Sequence, residues 1–450
     1  MTHLAMPWRP VQYLGSKLRT LQHIVDAMAD LQTHGNVVWE PFAGSTVVSQ
    51  CLAEAGYTVC AGDALYASAT FATAVLGVGR REEAIKLPAL ALRIVHEATE
   101  LLEAEVEVWA AWLARERKAL ESCDGRGLLT FGCELPQRWR PSTVEDHGLK
   151  AIFEAVDSAA NEHKRSARGL ASTTYAGTYF GLRQALELDA LRAAIEKLLC
   201  APSSSWARAC MLTALAHAAS LAVFSPGKHF AQPHRIGRDK DLDFHAKRIL
   251  ADRSTPVLIR FLDASTRLEE VARSGDERHR AEHALVEHMS ADRLMDWGVG
   301  VVYADPPYTA QQYSRFYHVL EALVECVPAK LQEVRGSVTR GLYPEGRYLS
   351  PFCSKTKAAP ALGALALTSA KAGANLLLSY SGSVSASTGN ARSIPLSAVV
   401  STVEEAYGSG AVSVRRLPLR YRQFNHSSAR VPNRNDPEFL VTARAGGAPC

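Results

Sequence analysis

The stretch Val301-Val302-Tyr303-Ala304-Asp305-Pro306-Pro307-Tyr308 constrains the fold more tightly than any other in the chain. Its first four residues have the apolar, β-rich character of a buried strand. The two prolines then end that strand, because neither can donate to a sheet ladder and each holds the residue before it extended. A core strand must therefore stop in a stiff polar elbow, which leaves an acid, a prolyl carbonyl and an aromatic ring at its carboxyl end. In open α/β sheets that end is where ligands bind. The set suits a planar amine: the Asp305 carboxylate and the Pro306 carbonyl can accept both N–H groups of an exocyclic amine, while Tyr308 stacks on the ring.

A second segment of the same kind lies near the start. Residues 36–65, NVVWEPFAGSTVVSQCLAEAGYTVCAGDAL, read as strand, glycine-containing turn, helix, strand and acid, which is a βαβ half-unit. In the turn Glu40-Pro41-Phe42-Ala43-Gly44-Ser45-Thr46, small residues let a ligand approach the backbone, and the following helix offers unpaired N–H groups. Asp63 closes the next strand 19 residues beyond Gly44, the separation at which an acid meets ribose hydroxyls in adenine-containing cofactors. Residue types alone leave open a plain strand-to-helix turn with an unrelated capping Asp.

Composition sets the frame for these motifs. At 450 residues, with 47% hydrophobic and 21% charged residues, the chain can bury a large core and needs either one big insertion or two to three domains. The net charge of +4 is compatible with nucleic acid without requiring it. The nine cysteines include no CxxC pair or Cys/His metal spacing, so reduced thiols in a cytoplasmic protein, without a metal, are expected. The best apolar run, Met211 to Phe224, contains His217 and is too short to cross a membrane, and no signal-like segment opens the chain.

Residues 11–30 predict a polar turn leading into an amphipathic helix. From about 79 to 254 the pattern is helical, with long Ala/Leu/Glu/Arg segments and no sheet rhythm. Strand-like runs resume at 256–265, 298–308, 374–383, 411–419 and 437–444. The simplest architecture is one α/β core built from residues 1–78 and 255–450, interrupted by a helical insertion over 79–254.

In order along the chain, Tyr13-Leu14-Gly15-Ser16-Lys17, Pro41-Phe42-Ala43-Gly44-Ser45, Asp63 and Asp305-Pro306-Pro307-Tyr308 closely resemble the motifs of the alpha-group (Dam-like) N6-adenine DNA methyltransferases. The resemblance implies a Rossmann-like methyltransferase core that uses S-adenosylmethionine, with a target-recognition insertion between the cofactor half and the DPPY half. It implies that Tyr13, Gly15 and Lys17 lie by the methionine part of the cofactor, that Glu40, Phe42, Ala43 and Gly44 form its cradle, and that Asp63 holds its ribose. Asp263, at the end of VLIRFLD, falls where the family often has an acid near the cofactor adenine. Asp305 to Tyr308 would hold a base flipped out of double-stranded DNA. One departure stands out: Thr46 occupies a position where the family usually has a second glycine. Thr is acceptable there in helical geometry, but not if the loop needs a positive φ.

Candidates for DNA contact are Tyr179 in the aromatic run 175–180, Lys228, His229 and Arg235 in GKHFAQPHRIGRDK, Arg315 just after the elbow, and Arg422 and Arg434 in a basic segment near the C-terminus. Exposed basic loops are also often only solvated surface. The function expected is site-specific adenine-N6 methylation of DNA in a restriction-modification or other phage-defence system, beside a separate endonuclease or defence subunit. The alternatives are another exocyclic amine, cytosine N4 or an RNA adenine, and a non-catalytic DNA- or cofactor-binding subunit.

Overall fold

The computed structural model describes residues 6–31, 35–77, 86–140, 146–165, 168–234, 239–272, 275–382, 392–422 and 435–446. The strands are β1 (Val37–Glu40), β2 (Thr58–Asp63), β3 (Arg280–His283), β4 (Val299–Ala304), β5 (Glu333–Val334), β6 (Ser337–Val338), β7 (Asn375–Ser381), β8 (Val412–Arg422) and β9 (Asn435–Ala443). Seven of them form one sheet in the order β3-β2-β1-β4-β7-β9-β8, and β5 and β6 make a separate hairpin. β3, β2, β1, β4 and β7 run parallel, whereas β9 is antiparallel to both β7 and β8. The protein is thus a mixed α/β structure with a mostly parallel central sheet.

Alternation along the strands sends side chains to two cores. Val38, Val59, Val301, Tyr303 and Leu377 join a cluster with the helices Leu21–Asp30, Val47–Glu54 and Tyr66–Leu76. Trp39, Cys60, Val302, Leu376 and Leu378 join another with the helices Ala358–Lys371 and Leu396–Tyr407. All seven residues of β7 are buried, as a strand covered on both faces requires.

The strand order reverses between β1 and β4. From β1 the chain moves outward to β2 and then β3, and after β4 it moves the other way to β7. Two successive strands leaving in opposite directions open a crevice at their carboxyl ends, the switch point at which open α/β sheets bind ligands. The turn 41–46 and the elbow 305–308 lie at that crevice because β1 and β4 are neighbours, with Val38 opposite Val301 and Trp39 opposite Val302.

Between β2 and β3 the described chain is helical, from Tyr66–Leu76 to Val257–Ala272. This last helix corrects one expectation. PVLIRFLDAS was predicted as a strand, but Val257, Phe261, Ala264, Leu268 and Ala272 recur at helical spacing and are buried, while Arg260, Asp263 and Arg267 point outward. A short apolar run was read with period two where the longer window has period 3.6. The sheet position beside β2 is instead filled by β3, whose polar RAEH sequence gives no strand signal. The runs predicted around 298–308, 374–383, 411–419 and 437–444 do contain β4, β7, β8 and β9. The eight cysteines among the described residues are free, and no helix there is long and apolar enough to cross a membrane.

One half-buried acid joins the two halves. Glu321, on the helix Tyr313–Glu325, accepts the amides of Tyr66 (2.6 Å) and Ala67 (2.9 Å), the first residues of the helix that follows β2. It caps that helix from a site 254 residues away in sequence. Glu321→Ala strands both amides and is expected to lower stability by roughly 2 kcal/mol in urea or guanidinium unfolding, with no change in the denaturant slope.

Candidate active site

Three backbone segments surround the crevice. The first is the turn after β1, where Gly44 has φ +50° and an added Cβ would meet Tyr13 Cε1 at 2.9 Å, so only glycine allows the Tyr13 ring to close against the loop. Tyr13 stacks on Tyr317 at 4.4 Å, nearly parallel, and Leu14 N–H donates to the Tyr317 hydroxyl at 2.7 Å. Gly15 has φ +75° and lies over the hydroxyl of Tyr313. The segment 13–17 therefore crosses the crevice with its aromatic ring on the glycine turn and its lysine beyond.

Lys17 is 5% exposed, and its ammonium lies 2.8 Å from Asp305 Oδ2. It also donates to the Gly15 carbonyl at 3.3 Å and lies 5.5 Å from the centroid of the Tyr308 ring. Burial alone would lower its pKa, but the carboxylates of Asp305 and Glu438 outweigh that and hold it well above the ordinary lysine value. Burial pushes the Asp305 carboxyl up, against the pull of Lys17. The second oxygen, Asp305 Oδ1, is buried with no hydrogen-bond partner among the described residues. An acceptor held this way is complete on the lysine side and open on the other.

Asp63 supports the turn as well as facing the crevice. Its carboxylate accepts Gly44 N–H at 2.9 Å and Leu65 N–H at 2.8 Å, and burial pushes its pKa up to about 6. Glu40, 2% exposed, accepts the Ser49 hydroxyl, and burial pushes it up to about 8. Phe42 meets Phe352 edge to face at 5.2 Å. Together these residues line a cleft of about 840 Å³, counting its open mouth, with Val286, Tyr303, Pro307, Gln312, Tyr348 and Ser350 completing the wall.

Thr46 has φ +65° and ψ 8°, the left-handed geometry that the usual glycine would adopt freely. For a β-branched residue this costs roughly 1–2 kcal/mol. The residue is fully buried, and Gln50 Nε2 donates to its hydroxyl at 3.2 Å while also bonding the Trp8 carbonyl at 2.7 Å. The strain is thus local and held by packing, and the turn keeps the shape that a second glycine would give it.

Of the predicted site residues, Tyr13, Gly15, Lys17, Glu40, Phe42, Ala43, Gly44, Asp63, Asp305 and Pro307 line this one cleft. Tyr308 lies beside it, 7% exposed, with Pro306 and Tyr380 against a smaller apolar hollow. Asp263 does not belong. It lies on the exposed face of its helix, paired with Arg260 at 3.0 Å, because the segment is helical rather than a strand that would end at the crevice. Val286, Tyr348 and Ser350 were missed. The last two sit in the extended segment after the β5–β6 hairpin, pinned by Ser314 Oγ to Tyr348 O and by Ser350 N to Gln312 Oε1, and no pattern in GLYPEGRYLS announces this.

The DNA candidates fare less well. Tyr179 is wholly buried and donates to the Phe230 carbonyl at 2.6 Å, so its aromatic run is core, not surface. Lys228 donates to the carbonyls of Leu221 and Val223 and pairs with Asp252 at 2.8 Å, which makes it a cap on the helix Ser205–Ala222 and not a free phosphate ligand. His229 is half-buried with its ring against Phe316. Arg315, also half-buried, stacks on Tyr343 at 5.1 Å and donates to its hydroxyl. Arg235 and Arg434 lie outside the described residues, and Arg422 is described only as the last residue of β8.

The half of the cleft nearest the N-terminus also decides the comparison with known proteins. Residues 13–103 match the D12 class N6 adenine-specific DNA methyltransferase family model. The matched segment begins at Tyr13 and takes in Lys17, Gly44 and Asp63, as the motifs led one to expect. The elbow Asp305–Tyr308 lies beyond the D12 class match and is joined to it by the pairing of β1 with β4. No curated protein matches the chain.

Two measurements follow from this geometry. Thr46→Gly relieves a positive φ and is expected to raise stability by roughly 1 kcal/mol in denaturant unfolding. Glu40 bears on pH. An acid whose folded pKa is raised stays protonated in the folded state while the unfolded chain ionises, so stability falls as pH rises from about 4.5 to about 8 and then levels off. Glu40→Gln keeps an acceptor for Ser49 and should flatten that part of a melting-temperature profile taken from pH 5 to 8.

Proposed function

We propose that this protein is an S-adenosylmethionine-dependent methyltransferase that modifies adenine N6 in double-stranded DNA, on a base extruded from the helix. The observation that carries the reading is the pair of buried Lys17 with Asp305 at the switch point, with Asp305 Oδ1 left as an open acceptor. The D12 class match supports adenine methylation, and the DPPY elbow lies against the matched half.

The residues present fit the donor. The glycine turn on which Tyr13 closes, a helix N-terminus behind it, and Asp63 beside it form a cradle for an adenine-containing cofactor. Tyr13, Glu40, Phe42, Ala43 and Gly44 would hold it, with Asp63 toward its ribose. S-adenosylmethionine supplies an electrophilic methyl group on a positively charged sulfur.

The chain's own residues act on the amine. An adenine amine is a poor nucleophile because its lone pair is delocalised into the ring. Asp305 and the Pro306 carbonyl accept its two N–H bonds and draw them out of conjugation, which returns lone-pair density to nitrogen. Lys17 favours the ionised, acceptor form of Asp305 against the effect of burial and fixes which oxygen faces the amine. As the N–C bond forms, the methyl–sulfur bond would break with its electron pair left on sulfur, and the proton lost from nitrogen would pass to the Asp305 carboxylate. Orientation and electrostatics do the rest, and no covalent enzyme intermediate is required. In this reading the sheet is a Rossmann-like methyltransferase core, and the helices within 79–254 serve as the target-recognition region.

The test is methyl transfer itself. Protein incubated with labelled S-adenosylmethionine and plasmid DNA, then digested to nucleosides, is expected to place label in N6-methyldeoxyadenosine, with Asp305→Ala lowering the rate at least about a hundredfold. Label in N4-methyldeoxycytidine, or only in RNA, would change the substrate assigned. No label in any nucleic acid, with DNA still bound, would reduce the protein to a binding subunit.

A further inference from the structure

Two arginines close on one tyrosine ring at the border of the cleft. Arg315, in the first turn of the helix Tyr313–Glu325, and Arg347, in the extended segment after the β5–β6 hairpin, hold their guanidiniums 5.1 and 5.6 Å from the centroid of Tyr343. The ring itself is fixed. Its hydroxyl donates to the Ala231 carbonyl, its backbone N–H donates to Thr339 Oγ1 at 3.1 Å, and His318 meets its edge at 5.5 Å. Arg315 donates from one Nη to the Tyr343 hydroxyl at 3.1 Å. The Nε–H groups of Arg315 and Arg347 are both buried and have no partner among the described residues. Neither guanidinium pairs with a carboxylate there. Asp157, Glu333 and Glu345 share the open groove that Arg347 lines, but Asp157 is taken by Arg138 at 2.7 Å, and both glutamates are exposed. Burial and the Arg315 charge together pull the Arg347 pKa below its ordinary value. Two cations gathered on a neutral ring, with buried donors unmet and no acid between them, make a site that lacks an anion.

The site adjoins the wall of the cleft. Ser314 and Tyr348 line that wall and are tied to each other by the Ser314 hydroxyl, which donates to the Tyr348 carbonyl at 2.6 Å. Arg315 follows Ser314 in sequence, and Arg347 precedes Tyr348. Building on the methyltransferase reading, we propose that Arg315 and Arg347 together clamp one backbone phosphate of the DNA beside the extruded base, with the Tyr343 ring holding both guanidiniums in place. The chemistry is matched. A guanidinium stacked on a ring keeps its in-plane N–H groups for an anion, and its fork fits phosphate oxygens. One phosphate meets both cations and removes the repulsion between them. No base edge is read, so the clamp sets where the duplex sits and not which sequence is chosen.

The clamp is tested by the salt dependence of duplex binding, with the full chain and a fluorescently labelled mixed-sequence duplex read by anisotropy from about 50 to 300 mM KCl. The double variant Arg315→Ala/Arg347→Ala should bind about tenfold or more weakly and lose about 0.9 from the slope of log K against log salt, the value for one phosphate. Because the two arginines share that phosphate, each single alanine variant should show most of the loss, and the two single effects should multiply to more than the double. Arg347→Lys keeps the charge and should keep most of the slope. Affinity for S-adenosylmethionine, read by calorimetry, should stay within about twofold of wild type in every variant. Inorganic phosphate should compete with the duplex no better than chloride at equal ionic strength. An unchanged slope in the double variant overturns the proposal, as does a lysine variant that loses as much slope as alanine. Joint loss of cofactor and duplex binding would mark a merely structural pair, and strong competition by inorganic phosphate would mark a free-anion site; either sinks the clamp. If wild-type protein binds no duplex at all, the DNA methyltransferase reading falls and the clamp with it, whereas a wild type that binds duplex beside variants with an unmoved slope sinks the clamp alone.

Discussion

The ion pair between Lys17 and Asp305 is the contact on which the rest of the site depends. A lysine 5% exposed and a carboxylate 19% exposed are stable together only at hydrogen-bond distance, and removing either partner leaves the other charge poorly solvated at a cost of several kcal/mol. The partners lie 288 residues apart in sequence. For them to meet, the segment 13–17 must cross the crevice, β1 must lie beside β4, and the prolines must stop β4 where they do. The stacking of Tyr13 on Tyr317 and the bond from Leu14 N–H to the Tyr317 hydroxyl hold the crossing segment to the helix that follows the elbow. The pair therefore works as a lock between two halves of the protein, and the open Asp305 oxygen is what the lock presents to a ligand.

The turn after β1 shows how much distortion such a site tolerates. Gly44 and Thr46 both take positive φ, one without strain and the other against it. The turn keeps its shape because Asp63 binds the Gly44 amide from the neighbouring strand and Gln50 ties Thr46 to the N-terminal segment at Trp8. Local preference at a single residue is overruled by the packing around it, as is common where a backbone must come close to a ligand. The family's second glycine would make this conformation cheaper without altering what it does.

The failures among the DNA candidates share a physical cause. Aromatic and basic residues interleaved with glycine describe an exposed binding loop and a buried anchoring loop equally well. In Tyr179 and Phe230 the second applies: their rings pack edge to face in the interior, and the Tyr179 hydroxyl donates to the backbone carbonyls of Phe230 and Gly341. Lys228 likewise uses its charge on helix-terminal carbonyls and Asp252. Burial is a property of the whole fold, and a sequence window does not contain it.

The residues by themselves determined the chemistry: an elbow of Asp305, two prolines and Tyr308 closing a strand, a glycine turn, an acid at the end of the next strand, and a lysine ahead of all three. These follow from local rules on strands, prolines and glycines that act over a few residues. The strand order, the helix at Val257–Ala272, the exposed place of Asp263 and the identity of the residues facing Tyr308 were decided only by tertiary structure. Each depends on which segments become neighbours, and neighbours hundreds of residues apart are selected by the burial of the sheet's two faces, to which every element contributes at once.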